Sequence, residues 1–465
     1  MPVNATPGFD LQPSANQIPT NTNYITNFDF LSQYLPDTYE KEFERYGNRT
    51  LSSFLRMVGA EMPSNSDLIK WSEQGRLHTK YVDCTSSLDT GGNTATITVP
   101  AAQVGTSALV TTAGIAVRAG QTVMISSTLG GSNKAIVTAV RIDDREFDVA
   151  YYETAQAFAA GSTDLTVFIY GSEFKKGTNG MEGSLESEGE IFENKPIILK
   201  DKYAVSGSDM AQIGWVEVTT ENGASGYLWY LKSEHETRLR FDDYLETAMI
   251  EAVPMANTNN AGLADGSEGV FYVVENRGNV WGGGNPTSLL EWDDVIKRLD
   301  KQGAIEENVV FVNRDFGFNI DDMLAEQNSY GSGGSSYGLF DNDKDMALNL
   351  GFTGFRRGYD FYKSDWKYLN DPTMRGGLKS GAVNGLLVPA GSTSVYDQVM
   401  GKNAKRPFLH VRYRASETED RRYKTWITGS AGGAATSDKD AMEVHFLSER
   451  AVCTLGANNF FLFQA

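Results

Sequence analysis

The chain has 465 residues, of which 40% are hydrophobic and 11% aromatic, so it contains enough apolar material for sizeable cores. Its net charge is −19, from 60 acidic and 41 basic residues. The ordinary charged fraction of 22% excludes a chain that is disordered as a whole. The densest basic stretches, Arg356–Arg357, Lys402–Arg406 and Arg421–Lys424, are too short for a duplex-binding patch, and we interpret them as surface or interface pairs.

The two cysteines, Cys84 and Cys453, lie far apart in the sequence and do not make a disulfide framework. We expect both to be free buried thiols, as suits a reducing cytoplasm. The first residues lack the basic start and apolar core of a signal peptide. No apolar run reaches the roughly 20 residues that span a bilayer, so we expect a protein that is made in a cytoplasm and stays soluble there.

Residues 1–27 are rich in Asn, Thr, Pro, Gln and Ser, with isolated apolar residues and no helical or strand period. Alone, such a segment cannot bury enough apolar surface to offset the entropy of the chain. The composition therefore predicts an extended arm that lies across neighbouring subunits.

Residues 28–81 have apolar residues at helical spacing, which predicts several short helices. Pro36 and Gly47 would separate them, and Ser64 or Ser66 would cap a further helix. The apolar residues that this last helix would bury are Leu68, Ile69 and Trp71.

Residues 82–170 are rich in Thr, Val, Ala, Ser and Gly, and several stretches alternate between polar and apolar residues. Glycine-containing turns separate these stretches, which favours a small antiparallel barrel or sandwich inserted into the chain. The five predicted strands are Thr94–Val99, Thr122–Ile125, Ala135–Val140, Glu146–Val149 and Leu165–Ile169.

The most helical part of the chain follows a polar loop and an extended stretch, and runs from Ala211 to Val253. One side of this predicted helix is charged, and Pro254 would stop it. Such a helix usually lies across a sheet or another helix. Its apolar stripe consists of Leu228, Leu231, His235, Leu239, Leu245, Met249 and Val253.

From Gly269 onward the pattern becomes mixed α/β. A capping box at Ser288–Glu291 begins a helix that should end at Gly303, and a short helix is predicted at Ile320–Glu326. The predicted strands are Val270–Val274, Val309–Val312, Leu348–Phe352, Gly358–Tyr362, Gly385–Val388, Phe408–Tyr413, Tyr423–Ile427, Glu443–Leu447 and Asn458–Phe463. These patterns together predict an α+β protein.

No motif for catalysis survives inspection, because neither a G-x-x-x-x-G-K-[ST] phosphate loop nor a G-x-S-x-G elbow is present. The four histidines are scattered, and we expect His410 and His445 to be ordinary packed or hydrogen-bonded residues. Asp341–Asp345 resembles the start of a calcium loop, but Met346 and Phe352 replace the required Gly and Glu. We therefore predict no catalytic residue, no metal site and no cofactor.

The order of parts resembles that of the major capsid proteins of tailed bacteriophages, which share the HK-ninety-seven-type fold. The segments Gly183–Glu186, Glu193–Pro196 and Lys202–Ser206 precede the long predicted helix in the manner of that family. Two further segments, Phe352–Asp371 and Glu449–Phe461, look most like capsid proteins of the crAss-like phages.

The resemblance implies an N-terminal arm, an extended loop, a peripheral domain with a long spine helix, and an axial domain, here with an inserted small all-β domain on the extended loop. The implied organisation is arm 1–27, N-terminal helical segment 28–81, β-rich insertion 82–170, remainder of the extended loop 171–206, peripheral domain 207–268, axial α/β domain 269–440 and returning C-terminal strands 441–465.

The resemblance also implies a structural function without an active site: assembly of hexamers and pentamers into an icosahedral capsid around double-stranded DNA, which is enclosed without specific binding. Portal, scaffold and auxiliary or decoration proteins would be partners, and the virion the location after synthesis in the bacterial cytoplasm. The missing long helical prefix fits an uncleaved product with a separate scaffold.

Within this interpretation, the aromatic residues of the arm are the expected contacts between subunits: Phe9, Tyr24, Phe28 and Phe30. Phe28 and Phe30 could instead begin the intramolecular core.

Two other classes of function stay open. One is a different virion component, such as a tail or adhesin protein that binds carbohydrate through the β insertion, although the repeats typical of a fibre are absent. The other is a hydrolase in the α/β half without a recognisable motif.

Overall fold

The computed structural model describes residues 60–76, 78–88, 93–104, 114–127, 131–153, 162–183, 189–211, 218–219, 225–226, 229–256, 264–303, 305–329, 354–378, 381–397, 402–433 and 435–464. In chain order, their strands are β1 (Ala60–Ser64), β2 (Ile69–Gln74), β3 (Lys80–Leu88), β4 (Thr94–Thr98), β5 (Gln121–Ser127), β6 (Ser132–Arg141), β7 (Glu146–Tyr151), β8 (Ser162–Ser172), β9 (Gly189–Asn194), β10 (Ile197–Ser206), β11 (Val218–Thr219), β12 (Ser225–Gly226), β13 (Asn279–Trp281), β14 (Glu307–Val312), β15 (Gly354–Arg357), β16 (Tyr359–Asp365), β17 (Val383–Pro389), β18 (Ser392–Asp397), β19 (Lys402–Pro407), β20 (Leu409–Arg414), β21 (Lys424–Gly429), β22 (Ala441–Thr454) and β23 (Phe461–Gln464).

The α-helices of the same residues are α1 (Gly207–Met210), α2 (Trp229–Glu251), α3 (Val270–Arg277), α4 (Leu289–Gln302), α5 (Arg314–Ser329) and α6 (Lys367–Asn370). The structure is thus a mixed α+β protein in which strands predominate. The chain divides into two compact units, one of Trp71–Phe192 and one of Met1–Lys70 with Glu193–Ala465.

The first unit, Trp71–Phe192, contains a closed barrel with the strand order β3-β4-β7-β6-β5-β8. All six pairs of neighbouring strands are antiparallel. In β4 the side chains of Ala95 and Ile97 are buried, whereas those between them are half-buried, as the two-residue period of a strand requires. The five strands predicted from the alternation are all present.

The sixth strand of the barrel, β3, was not predicted. Its pairing with β8 shifts register on either side of Cys84, and Asp83 has a positive φ of 52°. This irregularity breaks the alternation, and the inward residue Ser86 is polar. A strand of this kind lacks the pattern by which sequence reasoning recognises one.

The second unit contains a five-stranded sheet built around β22. This strand pairs antiparallel with β10, β20 and β21, and β1 joins the edge in parallel with β20. Helix α2 packs on one face of the sheet, where Phe241 and Leu245 meet Val205, Val444 and Phe446. The helix therefore buries one face of the sheet only.

The same unit contains a six-stranded sheet with the order β13-β23-β17-β14-β16-β15. Residues of α4 and α5 form a core with one set of its side chains, centred on the fully buried Trp292. Residues of α3, α6 and the last turn of α2 form a second core, which includes Phe311 and Leu462. Because neighbouring residues of a strand face opposite sides, this sheet lies between two layers of helices.

Helix α4 begins and ends where the sequence predicted. Ser288 accepts a hydrogen bond from the backbone N–H of Glu291, whose side chain in turn accepts one from the backbone of Ser288. The backbone N–H groups of Thr287 and Ser288, which both donate to this carboxylate, lower the pKa of Glu291. Gly303 follows the helix with a φ of 125°, a conformation that favours glycine.

The predicted helical segment 28–81 is wrong over its described part. Ala60–Ser64 and Ile69–Gln74 are strands, while residues 28–59 lie outside the described residues. Ile69, Trp71 and Glu73 share the more buried side of β2, which is a two-residue period. Ser66 does not cap a helix but closes a local turn with Leu68. The long-range pairing of β1 with β20 overrides the local helical spacing.

The prediction for the segment that follows Gly269 also needs correction. Val270–Val274, predicted as a strand, begins α3, in which Val270, Phe271, Val273 and Val274 are all buried. A segment buried on nearly all sides has no amphipathic period, so a short apolar run does not distinguish helix from strand.

The long helix is shorter than predicted. It begins at Trp229 rather than near Ala211, because Val218–Thr219 and Ser225–Gly226 pair as two short strands. Leu245 and Met249 of the predicted stripe are buried, but Val253 lies beyond the helix and is exposed. Most other later strands lie at the predicted places. The predicted strand Asn458–Phe463 instead begins with a short 3-10 helix at Ala457–Asn459, and its strand starts at Phe461. Leu348–Phe352 falls outside the described residues.

Asn194, the last residue of β9, joins three separate segments of the second unit. Its side-chain N–H groups donate to the carbonyls of Glu268 (3.0 Å) and Val452 (2.7 Å). Its oxygen accepts from the backbone of Lys195, the backbone of Glu268 and the hydroxyl of Ser267. The side chain is buried, so each of these groups would otherwise lose its bonds to water without replacement.

We predict that Asn194→Ala lowers the free energy of unfolding by about 3 kcal/mol, because five hydrogen bonds to buried or half-buried groups are lost. Thermal denaturation followed by tryptophan fluorescence measures this. The matched control is Asn276→Ala, since Asn276 is exposed and makes a single bond, to the carbonyl of Tyr272. Equal melting temperatures for the two variants would contradict the role assigned to Asn194.

Candidate functional site

The four residues predicted to contact neighbouring subunits, Phe9, Tyr24, Phe28 and Phe30, lie outside the described residues. Their role therefore stays a prediction. The calcium-like stretch Asp341–Asp345 also lies outside them.

The two histidines that were expected to be packed or hydrogen-bonded are so. His410 is buried and its Nδ1 lies 3.2 Å from the carbonyl of Pro407. His445 Nε2 lies 2.8 Å from the hydroxyl of Thr428, and its ring stacks on that of Trp426. Among the described residues, no group of three His, Cys, Asp or Glu could hold a metal ion.

Both cysteines are free and buried, as predicted. Burial, together with nearby Asp83, raises the pKa of the Cys84 thiol to about 12. A thiol with that pKa is protonated at neutral pH and is a poor nucleophile. No helix of the described residues is both long enough and apolar enough to cross a bilayer.

The short basic stretches are ion-paired, as expected of surface pairs. Arg357 contacts Asp293, and Arg356 lies 3.2 Å from Asp360. In the other stretch Arg421 contacts Glu449 at 2.7 Å. Arg422 contacts Glu61 and Lys424 contacts Glu419 in the same way. The side chains of Lys402–Arg406 are not among those described.

The strongest candidate for a functional surface is the face of the five-stranded sheet that α2 does not cover. Side chains of β10, β21 and β22 alternate between the α2 side and this second side. We call the second side the open sheet face, and define it by Ile198, Lys200, Lys202, Lys424, Trp426, Glu443 and His445.

The middle of the open sheet face is a row across three strands. Lys202 of β10 and Trp426 of β21 are the two direct neighbours of His445 in β22. The Trp426 and His445 rings are nearly parallel, with centroids 5.0 Å apart. Lys424 Nζ lies 5.9 Å from the centre of the Trp426 ring. The tryptophan is thus held in one orientation while 36% of its surface stays exposed.

The open sheet face is locally basic on a chain that is acidic as a whole. Lys202 lies 3.5 Å from Glu443, and Lys439 contacts the same carboxylate. The hydrogen bond from Lys439, with the charge of Lys202, lowers the pKa of Glu443. Lys200 and Lys424 flank Leu447 on the neighbouring strands, and Leu447 is only 5% exposed although it faces this side.

One end of the open sheet face opens into a cleft of about 360 Å³. Ile198 lines it with 51% of its surface exposed, next to the Arg421–Glu449 ion pair. The cleft thus offers an exposed branched apolar side chain beside fixed charges. This suits a ligand side chain that is apolar at its tip and polar at its base. The other residues of the cleft are Asn65, Arg414, Ala415, Ser416 and Glu419.

Sequence reasoning did not single out this surface. The stretch Tyr423–Ile427 was predicted as a strand, and its alternation places Lys424 and Trp426 on one side. That alternation was the available signal. Which side stays uncovered depends on where α2 packs, and local sequence does not encode that.

No protein-family model matches the chain, and no curated protein sequence matches it. Among solved structures, it is similar to one from Microbacterium phage Oxtober96, with 9% identity, a TM-score of 0.37 and coverage of 93% of this chain and 96% of that chain. The capsid of a native GTA particle gives 9% identity, a TM-score of 0.37, and 96% and 98% coverage. A SrpI encapsulin complex from Synechococcus elongatus gives 12% identity, a TM-score of 0.32, and 60% and 77% coverage. TM-scores this low do not establish a shared fold, so the function is argued below from the chain's own residues.

Proposed function

We propose that the chain is a structural shell protein, the major capsid protein of a tailed bacteriophage, and not an enzyme. The observation that carries the proposal is the open sheet face. A sheet that is packed by a 23-residue helix on one side presents an oriented tryptophan, an exposed isoleucine and a set of lysines on the other. Exposed apolar surface of this kind does not stabilise a monomer, whereas a subunit that binds copies of itself buries it in the interface.

The proposed architecture assigns the elements as follows. The two-stranded sheet of β2 and β9 belongs to the extended loop, which carries the barrel. Helix α2 is the spine of the peripheral domain, and the six-stranded sheet with its helices is the axial domain. The likeness of Phe352–Asp371 to proteins of crAss-like phages stays an expectation from sequence.

The open sheet face would bind an acidic segment with an apolar residue from a neighbouring subunit. Strand β9 has this character, because Glu190, Ile191 and Glu193 lie within four consecutive residues and Ile191 is 67% exposed. Opposite charges on the two surfaces would orient the subunits during encounter, and burial of Trp426 and Ile191 would supply the affinity. Each contact can be modest, since a closed shell repeats it many times.

In this proposal the subunits form hexamers and pentamers that close into an icosahedral capsid around double-stranded DNA. The acidic chain would enclose the genome without gripping it. Portal, scaffold and auxiliary proteins would be further partners, and the protein would be made in the cytoplasm of the bacterial host and end in the virion.

Negative-stain electron microscopy tests the proposal on the chain expressed alone and together with the genes that flank its own. We expect closed shells, or rings of five and six subunits. A monodisperse monomer under every condition would overturn the proposal.

The arm can be tested by deleting residues 2–20. We expect fewer capsids and a lower temperature of capsid disruption, because contacts between subunits are removed while the described core is untouched. Phe9→Ala should reproduce part of the loss, since aromatic anchors usually dominate such contacts. Unchanged yield and heat stability in the deletion variant would refute the arm.

The open sheet face can be tested by Trp426→Ala. We expect about a tenfold rise in the protein concentration needed for assembly, measured by light scattering, as for the loss of one aromatic anchor per contact. Tyr244→Ala is the control, because Tyr244 is 49% exposed on α2. Near-ultraviolet circular dichroism verifies that both variants are folded. The same assembly threshold in the two variants would exclude Trp426 from the interface.

A further inference from the structure

The outer surface of the barrel carries a second group of exposed aromatic side chains. Phe168 of β8 lies opposite Met124 of β5, and Met124 lies opposite Lys134 of β6. The backbone N–H of Tyr152 donates to the carbonyl of Lys134. With strands about 4.8 Å apart, these side chains form one continuous row across the barrel wall.

Two more aromatic residues extend this row into a patch. Tyr170 lies two residues beyond Phe168 in β8, and Lys134 Nζ lies 5.7 Å from the centre of its ring. Phe174 follows the end of β8 and lies against Gly120, the residue before β5. We call this surface the barrel aromatic patch, and define it by Met124, Lys134, Tyr152, Phe168, Tyr170 and Phe174.

Three of the rings are held in place by a dedicated contact. The Tyr152 hydroxyl donates a 2.5 Å hydrogen bond to Glu173, and Lys134 lies over the Tyr170 ring. The Phe174 ring occupies the space of the missing side chain of Gly120, where a Cβ would lie 2.5 Å from a ring carbon. Burial and the contact with Glu173, with Tyr170 nearby, raise the pKa of Tyr152 to about 12, so its hydroxyl stays a neutral donor.

The residues of this patch are not part of the hydrophobic core of the barrel. Its core is filled from the inside by residues such as Ile97, Val123, Phe147 and Val167. The four aromatic residues of the patch keep between 38% and 47% of their surface exposed. Ordering exposed rings costs side-chain entropy, so a set of rings that is fixed before any ligand arrives is typical of a preorganised binding surface.

The exposed rings of the patch cover a smaller area than a standard protein interface. At about 200 Å² for each full aromatic side chain, the exposed ring area is on the order of 350 Å². A standard protein interface buries about 800 Å² on each partner. The patch therefore fits a ligand of two or three small rings.

We propose that the barrel aromatic patch binds a neutral pyranose oligosaccharide. The faces of a pyranose ring present C–H groups, which stack on aromatic rings, and its edge presents hydroxyls. Glu173 can accept from those hydroxyls, and Lys134 and Lys80, which lies opposite Phe168 in β3, can donate to them. The stacking surface itself, four rings and Met124, carries no charge, which favours a neutral ligand. The inference is independent of the proposed function, although repetition in a shell would turn weak single-site binding into avidity.

The test is saturation-transfer difference NMR on the full chain with six neutral hexasaccharides: malto-, cello-, xylo-, manno-, galacto- and N-acetylchito-oligosaccharides. We expect at least one to receive saturation at its ring C–H protons, with a dissociation constant on the order of 1 mM. Tyr170→Ala should weaken this at least tenfold. Tyr170→Phe should retain it within threefold, because the ring remains.

Tyr362→Ala is the control, since Tyr362 is 51% exposed in the other unit. It should bind as the unchanged protein does. Transfer to none of the six sugars, or equal transfer with Tyr170→Ala, would overturn the proposal. Binding of a heparin hexasaccharide alone, lost at high salt, would equally overturn the assignment of a neutral ligand. Because all samples can be measured without assembled shells, failure here is distinguishable from failure of the capsid proposal.

Discussion

The pairing of β22 with three other strands is the constraint on which the second unit depends. This 14-residue strand lies near the end of the chain, yet it pairs with β10 across about 250 residues of sequence. From Ala451 to Thr454 every residue of β22 is buried. The sheet therefore cannot form until the chain is nearly complete, and its contacts are mostly long-range, which slows folding. Two hydrophobic cores depend on β22, because Val444 and Phe446 belong to one and Val452 to the other.

The same constraint explains how the chain accommodates a second compact unit. Residues 71–192 are inserted in the chain between β1 and β10, both of which belong to the β22 sheet. Asn194 fixes the point of return with hydrogen bonds to the loop before α3 and to β22 itself. An excursion anchored in this way can vary in size without altering the sheet, since its own barrel is closed and has no unpaired edge.

The two candidate binding surfaces follow from these architectures in different ways. The open sheet face exists because α2 covers one side of the β22 sheet only, and its mixture of lysines with Trp426 suits another protein surface. The barrel aromatic patch exists because a closed barrel directs alternate residues outward, and its small area suits a small ligand. One surface is proposed for assembly and the other for recognition.

The sequence alone determined the features that arise from neighbouring residues. These are the five regular barrel strands, the capped helix from Ser288 to Gly303, the paired basic stretches and the free buried cysteines. It did not determine β3, where a bulge removes the alternation, or α3, where burial on nearly all sides hides the period. The strands at residues 60–74 and the open sheet face were decided by tertiary structure, because the pairing of β1 with β20, the pairing of β2 with β9 and the position of α2 depend on residues far away in the sequence. Local patterns encode hydrogen bonds and periods within a segment, whereas the choice of which face is covered is made only when distant segments compete for the same surface.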